Sequence, residues 1–289
     1  MYLLREGSHN SNEPYMVTIP QPETNYLEKQ TLFFPEIGVA KWFFESGIAE
    51  RGLINWIMEN FIKEDTIMID IGAHVGTYSW IPAKVAKHVY SFECNPKIFC
   101  YLAANIALHR LEDKITPYQF ALGNKEGTID YLLRSVDGGG NGVKVLSESD
   151  NNVKKIKIQM KTLDSFELNN IGFIKMDVEG FEKEVLMGAL ETLKRSNYPN
   201  ILFECWGEWK EREGVPAIKI KKELFEYLDA KAAHLKEHTS PLSSYYTKKF
   251  ASVGAAISNT EFDYDSVKKI AKENEQKGIE KFINEKYKK

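Results

Sequence analysis

The stretch that most constrains the fold is a short apolar run that ends in an acid and two glycines. Residues Thr66–Ile71 are apolar and rich in β-branched side chains, which suits a buried parallel strand and is too short for a core helix. Asp70 lies near the end of this run, Gly72 and Gly76 follow, and the segment Tyr78–Ala86 has a helix-compatible apolar pattern. A strand, a glycine turn and a helix in this order predict the first crossover of a doubly wound α/β domain.

The spacing of the turn indicates what it binds. Gly72 and Gly76 stand four residues apart in D-x-G-A-x-x-G, whereas nicotinamide dinucleotide sites use G-x-G-x-x-G. The pattern resembles the first motif of S-adenosylmethionine-dependent methyltransferases with a Rossmann-like fold. We therefore predict that Asp70, Gly72, Ala73, His74 and Gly76 bind S-adenosylmethionine. The alternative is that the glycines only make a tight strand-to-helix turn.

Composition and charge narrow the function classes. The chain has 289 residues, a formal net charge of −3 and 27% charged residues, which describe a globular protein without a basic surface for nucleic acid. The three cysteines show no zinc-ligand spacing, so we expect reduced thiols. No signal segment opens the chain, and no apolar run approaches the ~20 residues of a membrane span. We expect a soluble, cytoplasmic protein that binds neither nucleic acid nor membrane.

A second acid follows the next predicted strand, His88–Glu93. Glu93 lies 23 residues after Asp70, where an acid of a Rossmann-like fold accepts hydrogen bonds from both ribose hydroxyls. We predict that Glu93 binds the ribose and that Cys94, beside it, also binds the cofactor; a solvated acid at a strand end is the alternative. Pro96 then begins a helix that extends to Leu108.

Three more strands are predicted after this helix, and the first of them carries the last predicted cofactor contacts. Ile115–Ala121 is the third strand, and Gln119 and Ala121 fall where such folds line the adenine ring. Thr128–Leu133 and the more exposed Val153–Met160 alternate apolar and polar residues, as strands do. Asp164 is a candidate cap for a short helix after the second of these strands.

Two further acids follow a buried strand at Phe173–Met176. Asp177 stands at its carboxyl end, Glu179 comes two residues later, and Phe181–Arg195 has helical spacing. We predict that these acids are catalytic, since they could orient the acceptor, take its proton or hold a hard divalent cation. No metal-ligand triplet can be named. The alternative is that Asp177 caps the following helix and Glu179 is solvated.

The residues that bind the methyl acceptor are predicted from a glycine-rich loop and from the next strand of the central sheet. The glycine-dense loop Arg134–Asn152 contains Asn141, and a loop of this composition is usually functional or disordered. Asn200–Glu204 is a fifth strand that ends on an acid, and Trp206 follows with a ring that could stack on a sugar. We predict that Asn141, Glu204 and Trp206 bind the acceptor; a hairpin connection and lid packing are the alternatives.

The chain divides into three predicted parts. Residues 1–48 are polar and interrupted by prolines, which indicates an extended arm that packs on the core. Residues 49–257 are predicted to form a mostly parallel, seven-stranded, doubly wound sheet with helices on both faces. Glu50–Ile62 is its first helix and Val253–Ile257 its last strand. Residues 258–289 are predicted to form a charged helical tail.

Five landmarks occur together in a fixed order: DIGAHVG at 70–76, FECNP at 92–96, ALGNKEG at 121–127, KTLD at 161–164 and IKMDVEGFEKEVLMGA at 174–189. This set resembles the FkbM family of S-adenosylmethionine-dependent methyltransferases over roughly Ile67 to Glu208. The family typically has Asn at the position of His74 and Pro at that of Cys94. The resemblance implies methyl transfer to a hydroxyl oxygen, often on a sugar or a secondary metabolite.

The residues and the resemblance agree on a reaction. Positioning does much of the work in an in-line displacement, and a weakly acidic hydroxyl needs help to lose its proton. Asp177 is the first candidate for that role. Three alternatives are a nicotinamide-dependent oxidoreductase, a methyltransferase acting on a nucleic acid or protein, and a non-catalytic cofactor-binding protein. The glycine spacing speaks against the oxidoreductase, the acidic net charge speaks against a nucleic-acid substrate, and the paired acids Asp177 and Glu179 speak against a non-catalytic protein.

Overall fold

A six-stranded, mostly parallel sheet forms the centre of the chain in the computed structural model, which describes residues 15–19, 30–35, 40, 43, 48, 51–133, 154–203 and 255–257. The first half supplies β1 (Tyr15–Ile19), β2 (Gln30–Phe34), α1 (Arg51–Asn60), β3 (Ile67–Ile71), α2 (Thr77–Ala83), β4 (His88–Phe92), α3 (Pro96–Leu108), β5 (Ile115–Tyr118), β6 (Ala121–Leu122) and β7 (Gly127–Leu133). The second half supplies β8 (Lys154–Lys161), a 3-10 turn (Leu163–Phe166), β9 (Ile171–Met176), α4 (Glu182–Met187), α5 (Leu190–Arg195), β10 (Asn200–Phe203) and β11 (Ala255–Ile257).

The strand order of the central sheet is β11-β10-β9-β3-β4-β5. All neighbouring strands are parallel except β10 and β11. The chain moves outward from β3 through β4 to β5, and then returns to the other side of β3 with β9 and β10. This reversal defines the doubly wound fold, so the predicted fold class is confirmed. The described residues supply six strands to this sheet, where the sequence predicts seven.

Apolar side chains cover both faces of the central strands. Met68 of β3 and Phe173 of β9 pack in one cluster with buried residues of α1, α2 and α3. Ile69 and Ile174 point to the opposite face and pack with Val185 of α4. A strand buried on both sides reads as a continuous apolar run, and this explains why β3 and β9 are easily located in the sequence.

β1 and β2 pair antiparallel, and β2 packs on α3. Leu32 and Phe34 are fully buried, and the Asn105 side chain acts as a strand partner for Phe33. The Phe33 N–H donates to Asn105 Oδ1 at 2.7 Å, and Asn105 Nδ2 donates to the Phe33 carbonyl at 3.0 Å. Asn105 Nδ2 also donates to the Val75 carbonyl at 2.9 Å, so one buried amide joins the arm to the turn after β3.

Several predicted elements have different bounds in the structure, and two of them differ for a reason that lies in tertiary contacts. The strand predicted at Ile115–Ala121 ends at Tyr118, because β6 leaves the central sheet and pairs with β8 in a smaller three-stranded sheet. The helix predicted at Phe181–Arg195 is two helices that break at Gly188. A Cβ at Gly188 would overlap with the Gly123 carbonyl oxygen, so a glycine is needed at the break for the chain to pass this close to Gly123.

Asp164 caps a different helix from the one predicted. Thr162 caps the 3-10 turn through its hydroxyl, which accepts from the Ser165 N–H. The Asp164 carboxylate instead accepts from the N–H groups of Glu191 and Thr192, in the first turn of α5, at 3.1 and 2.6 Å. Within the part of the chain that the structure describes, no helix is both long and apolar enough to cross a membrane.

Candidate active site

The candidate site lies where the strand order reverses, at the carboxyl ends of β3 and β9. These strands are parallel neighbours, so the turns that follow them emerge side by side. The Asp177 N–H donates to the Ile71 carbonyl at 2.9 Å and joins the two turns at their base. Ligands of doubly wound sheets bind outside this edge. The fold therefore brings the D-x-G-A-x-x-G turn and the Asp177 loop together.

Close packing explains the glycines of the first turn. Gly72 has a φ of +75°, and a Cβ there would overlap with the carbonyl oxygen of Asp177. Gly76 has a φ of +98° and precedes α2. The N–H groups of Gly72 and Ala73 both donate to the Phe92 carbonyl at 2.9 Å. The chain itself therefore requires a glycine at position 72, which is the alternative that the sequence left open beside ligand binding.

His74 occupies a left-handed backbone position in the same turn. Its φ is +52°, a conformation that Asn, Asp and His adopt more readily than other residues with a side chain. This preference gives a physical reason why His74 can stand where the family typically has Asn. The His74 N–H donates to Glu93 Oε2 at 2.9 Å, so the turn is tied to the end of β4.

Glu93 is a fixed carboxylate at the end of β4. Its Oε2 accepts from His74, its Oε1 accepts from the Asn95 N–H at 2.8 Å, and 7% of its surface is exposed. Burial raises the pKa of the Glu93 carboxyl, and these hydrogen bonds and the charge of His74 oppose that rise. A carboxylate has about four lone-pair positions, so two bonds leave capacity for a diol. The two hydrogen bonds thus hold the Glu93 carboxylate, which the sequence predicts to bind the ribose, in one orientation.

Asp70 lies beneath the turn, and its side chain is fully buried. Ser79 Oγ donates to Asp70 Oδ2 at 2.6 Å, and Ser91 Oγ donates to Ser79 Oγ at 2.8 Å. Burial raises the pKa of the Asp70 carboxyl, while the Lys175 charge and the Ser79 hydrogen bond oppose that rise. Asp70 therefore supports the turn from below, in a polar network that no local sequence pattern indicated.

Lys175 stands at the end of β9 and is 7% exposed. Its Nζ lies 3.8 Å from Asp70 Oδ1 and 3.6 Å from Asp177 Oδ2, and it donates to the Gly72 carbonyl at 3.4 Å. It also lies 4.9 Å from the centre of the Tyr78 ring. Sequence reasoning missed this residue, although a lysine inside the apolar run at 171–176 was a signal.

Asp177 and Glu179 flank the second turn. The Asp177 side chain is 39% exposed, and Glu179 is half-buried with a φ of +55°. Helix α4 begins at Glu182, after Phe181, with no side-chain cap. Asp177 therefore does not cap that helix, and its carboxylate lies at the rim beside Lys175. Both predicted catalytic acids lie at the edge where the site was expected.

Glu182 organises the second turn and was also missed. Its Oε1 accepts from the N–H groups of Val178 and Gly180 at 3.3 and 3.2 Å, and the residue is 3% exposed. Burial raises the pKa of Glu182 to about 7, and the Asp177 charge adds to the rise. One carboxylate therefore holds two N–H groups of the loop that carries Asp177 and Glu179.

Tyr131 of β7 borders Glu93 and Cys94. The Tyr131 and Cys94 side chains hydrogen-bond to each other, and burial raises the pKa of both groups. The negative charge of Glu93 reinforces both increases. The phenol and the thiol therefore stay neutral. Tyr131 belongs to the smaller sheet, so the pattern of the central strands could not indicate that it lies beside Glu93.

The remaining predicted residues divide into two groups. Gln119 is exposed, and Ala121 is buried with Tyr131 in a small apolar cluster. Asn141, Glu204 and Trp206 lie outside the described residues. Among the residues that the structure describes, no three His, Cys, Asp or Glu side chains are grouped closely enough to hold a metal ion.

Comparisons with known proteins show which family this sequence matches. A family model described as the Methyltransferase FkbM domain matches residues 70–240. The hexuronic acid methyltransferase AglP of Haloferax volcanii is 29% identical over 157 residues, which are 54% of this chain and 63% of AglP. The matched part thus spans less than two thirds of that relative.

Two solved structures align with this chain. Methyltransferase FkbM from Methylobacillus flagellatus KT has 16% identity and a TM-score of 0.41, and the match covers 67% of this chain and 43% of that one. An S-adenosylmethionine-dependent methyltransferase from Aquifex aeolicus has 15% identity and a TM-score of 0.41, with 77% and 100% covered.

Proposed function

The chain belongs to the FkbM methyltransferase family, and from this premise we propose that it transfers a methyl group from S-adenosylmethionine to a hydroxyl oxygen of a sugar or similar small molecule. The observation that carries the proposal is the pairing of a fixed carboxylate with an exposed one. Glu93 is held by two backbone N–H groups at the end of β4, and Asp177 stands at the end of β9. These two strands lie on either side of β3.

The first turn and Glu93 fit the cofactor. Glu93 would accept the ribose hydroxyls, and the backbone of Gly72, Ala73 and His74 would face the methionine part of the cofactor. Asp70 would hold that turn through Ser79 instead of touching the ligand. The bound cofactor supplies an electrophilic methyl group. Gln119 and Ala121, next to β5, are proposed to line the adenine.

The second turn would serve the acceptor. Asp177 has a partly exposed carboxylate that can accept a hydrogen bond from a hydroxyl and take its proton. Glu179 stands two residues away and would orient the same acceptor. Asn141, Glu204 and Trp206 remain proposed contacts on the acceptor side.

A uronic acid is the first acceptor to test. AglP is named for hexuronic acid, and it aligns with 157 residues of this chain. The formal net charge of −3 gives less support to a nucleic-acid substrate. Methyl-transfer assays also distinguish a sugar acceptor from a protein acceptor and from a non-catalytic cofactor-binding role.

Calorimetric titration with S-adenosylmethionine, with NAD as the control ligand, tests the cofactor. We expect binding of the first and none of the second. Methyl-labelled cofactor is then incubated with glucuronate, galacturonate and glucose oligosaccharides, and the labelled products are separated. Binding of NAD alone would refute the proposal. Cofactor binding with transfer only to a nucleic acid or a protein would retain the methyltransferase and refute the sugar acceptor.

A further inference from the structure

A buried lysine stands in the centre of the sheet at the candidate site. Lys175 pairs in register with Asp70 of β3, and Asp70 pairs in register with Ser91 of β4. Three neighbouring strands thus place a row of polar side chains beneath the edge of the sheet, and the other buried side chains of these strands are apolar. Burying an ammonium is costly unless it is paired, so its surroundings indicate what it does.

The Lys175 ammonium contacts both turns of the site. It carries three N–H groups, and three oxygens surround it: Gly72 O, Asp70 Oδ1 and Asp177 Oδ2, at 3.4, 3.8 and 3.6 Å. Gly72 belongs to the turn after β3, and Asp177 belongs to the turn after β9. The Lys175 charge also opposes the rise that burial causes in the pKa of Glu93, at the end of β4.

We propose that Lys175 is a positioning residue, which balances the charge of Asp70 and holds the Asp177 carboxylate against the Gly72 turn. The part of this inference that concerns methyl transfer rests on the proposed function. The Asp177 side chain is 39% exposed, and its Oδ2 lies 3.6 Å from the Lys175 ammonium. The ammonium therefore limits the orientations that the Asp177 carboxylate adopts. Lys175 donates to the Gly72 carbonyl and forms ion pairs with the two carboxylates, and it does not itself take the acceptor's proton.

Position matters because misplacing a reacting group by about 1 Å can cost roughly 100-fold in rate. A residue that fixes Asp177 relative to Gly72 should therefore affect turnover more than cofactor affinity. A lysine that only neutralises Asp70 should instead become dispensable once Asp70 is neutral. These two expectations separate a positioning role from a structural one.

The first experiment is amide hydrogen exchange, read by mass spectrometry, on the full-length wild type, Lys175→Met, Lys175→Arg and the control Lys194→Met. Lys194 is an exposed lysine of α5. We expect Lys175→Met to speed amide exchange about 10-fold at 72–76 and 177–181. Exchange in α3 should be unchanged, because the substitution removes only contacts near these two turns. Lys175→Arg should restore part of the protection. Exchange that is unchanged at both turns would overturn the inference.

The double variant Asp70→Asn/Lys175→Met, compared with Asp70→Asn alone, keeps the test decisive if the single variant unfolds. With both charges removed, exchange at 177–181 should stay fast, because Asp177 still lacks its partner. If exchange there returns to the level of Asp70→Asn alone, Lys175 only neutralises Asp70 and the inference is wrong.

Turnover provides the second measurement. Lys175→Met should lower kcat by about 10- to 100-fold and change the Kd of S-adenosylmethionine by less than about threefold. An unchanged kcat, or a loss that appears only in the Kd, would contradict the positioning role. A wild-type protein that binds no S-adenosylmethionine would refute the proposed function, while the exchange data would still decide whether Lys175 holds the two turns together.

Discussion

Replacing Glu182 by Gln should make the stability of the protein less dependent on pH. Glu182 Oε1 accepts from the N–H groups of Val178 and Gly180, and the carboxyl is almost completely buried. A glutamine carbonyl can accept the same two hydrogen bonds with nearly the same shape, but it cannot ionise. The substitution therefore removes a titration while it keeps the loop contacts.

The size of the effect follows from the pKa of Glu182. Burial raises it to about 7 from an ordinary value of 4.5, so the folded protein binds more protons than the unfolded chain between these pH values. The protonated Glu182 carboxyl makes its full contribution to stability below pH 4.5, and this contribution is lost as the pH rises through 7. The difference between a pKa of 4.5 and one of about 7 corresponds to roughly 3 kcal/mol of unfolding free energy.

Urea denaturation from pH 4.5 to pH 9 at constant ionic strength measures this difference. The two proteins should have similar unfolding free energies near pH 4.5, and Glu182→Gln should be the more stable by roughly 3 kcal/mol above pH 8. Glu191→Gln is the matched control, because Glu191 is an exposed acid in the first turn of α5. Parallel curves for wild type and Glu182→Gln would refute the reasoning, as would a variant that is less stable at high pH.

Three further predictions concern the two turns. Glu93→Ala should weaken S-adenosylmethionine binding by about 1.5–3 kcal/mol in calorimetry, as expected for hydrogen bonds to a charged group; unchanged affinity would refute the ribose assignment. Asp177→Asn should keep cofactor affinity and abolish turnover, and full activity would place the proton acceptor elsewhere. Gly72→Ala should destabilise the protein in urea by at least ~2 kcal/mol more than Gly180→Ala. Both glycines have positive φ, but only Gly72 lacks room for a Cβ, so equal losses would contradict the close approach.

Local patterns in the sequence were sufficient for the central strands and the acids that follow them. β3 and β9 are buried on both faces, so each is a mainly apolar run, with Asp70 and Lys175 as the exceptions, and the end of each run marks the edge of the sheet. Asp177 was located by that rule, and Glu93 by its position 23 residues after Asp70. Because parallel strands end at one edge, a residue just after a strand is placed in space by the fold class, without any knowledge of side-chain contacts.

Elements that depend on distant contacts could not be predicted in the same way. The break lies at Gly188, where the Gly123 carbonyl leaves no room for a side chain, and nothing in the helical spacing of 181–195 indicates that neighbour. Asp164 caps α5 from 27 and 28 residues away, whereas a sequence pattern assigns a cap to the nearest helix. Both cases are tertiary contacts that override a local preference.

The same reasoning explains which site residues were missed. Lys175 and Glu182 lie inside a strand and inside a helix, where a charged residue is usually taken as part of a solvated face. Their roles depend on partners in neighbouring turns. Gly72 shows the opposite case, because the Asp177 carbonyl requires a glycine there whatever the turn binds. The glycine therefore indicates two turns in contact, whereas the methyltransferase family is shown by the family match over residues 70–240.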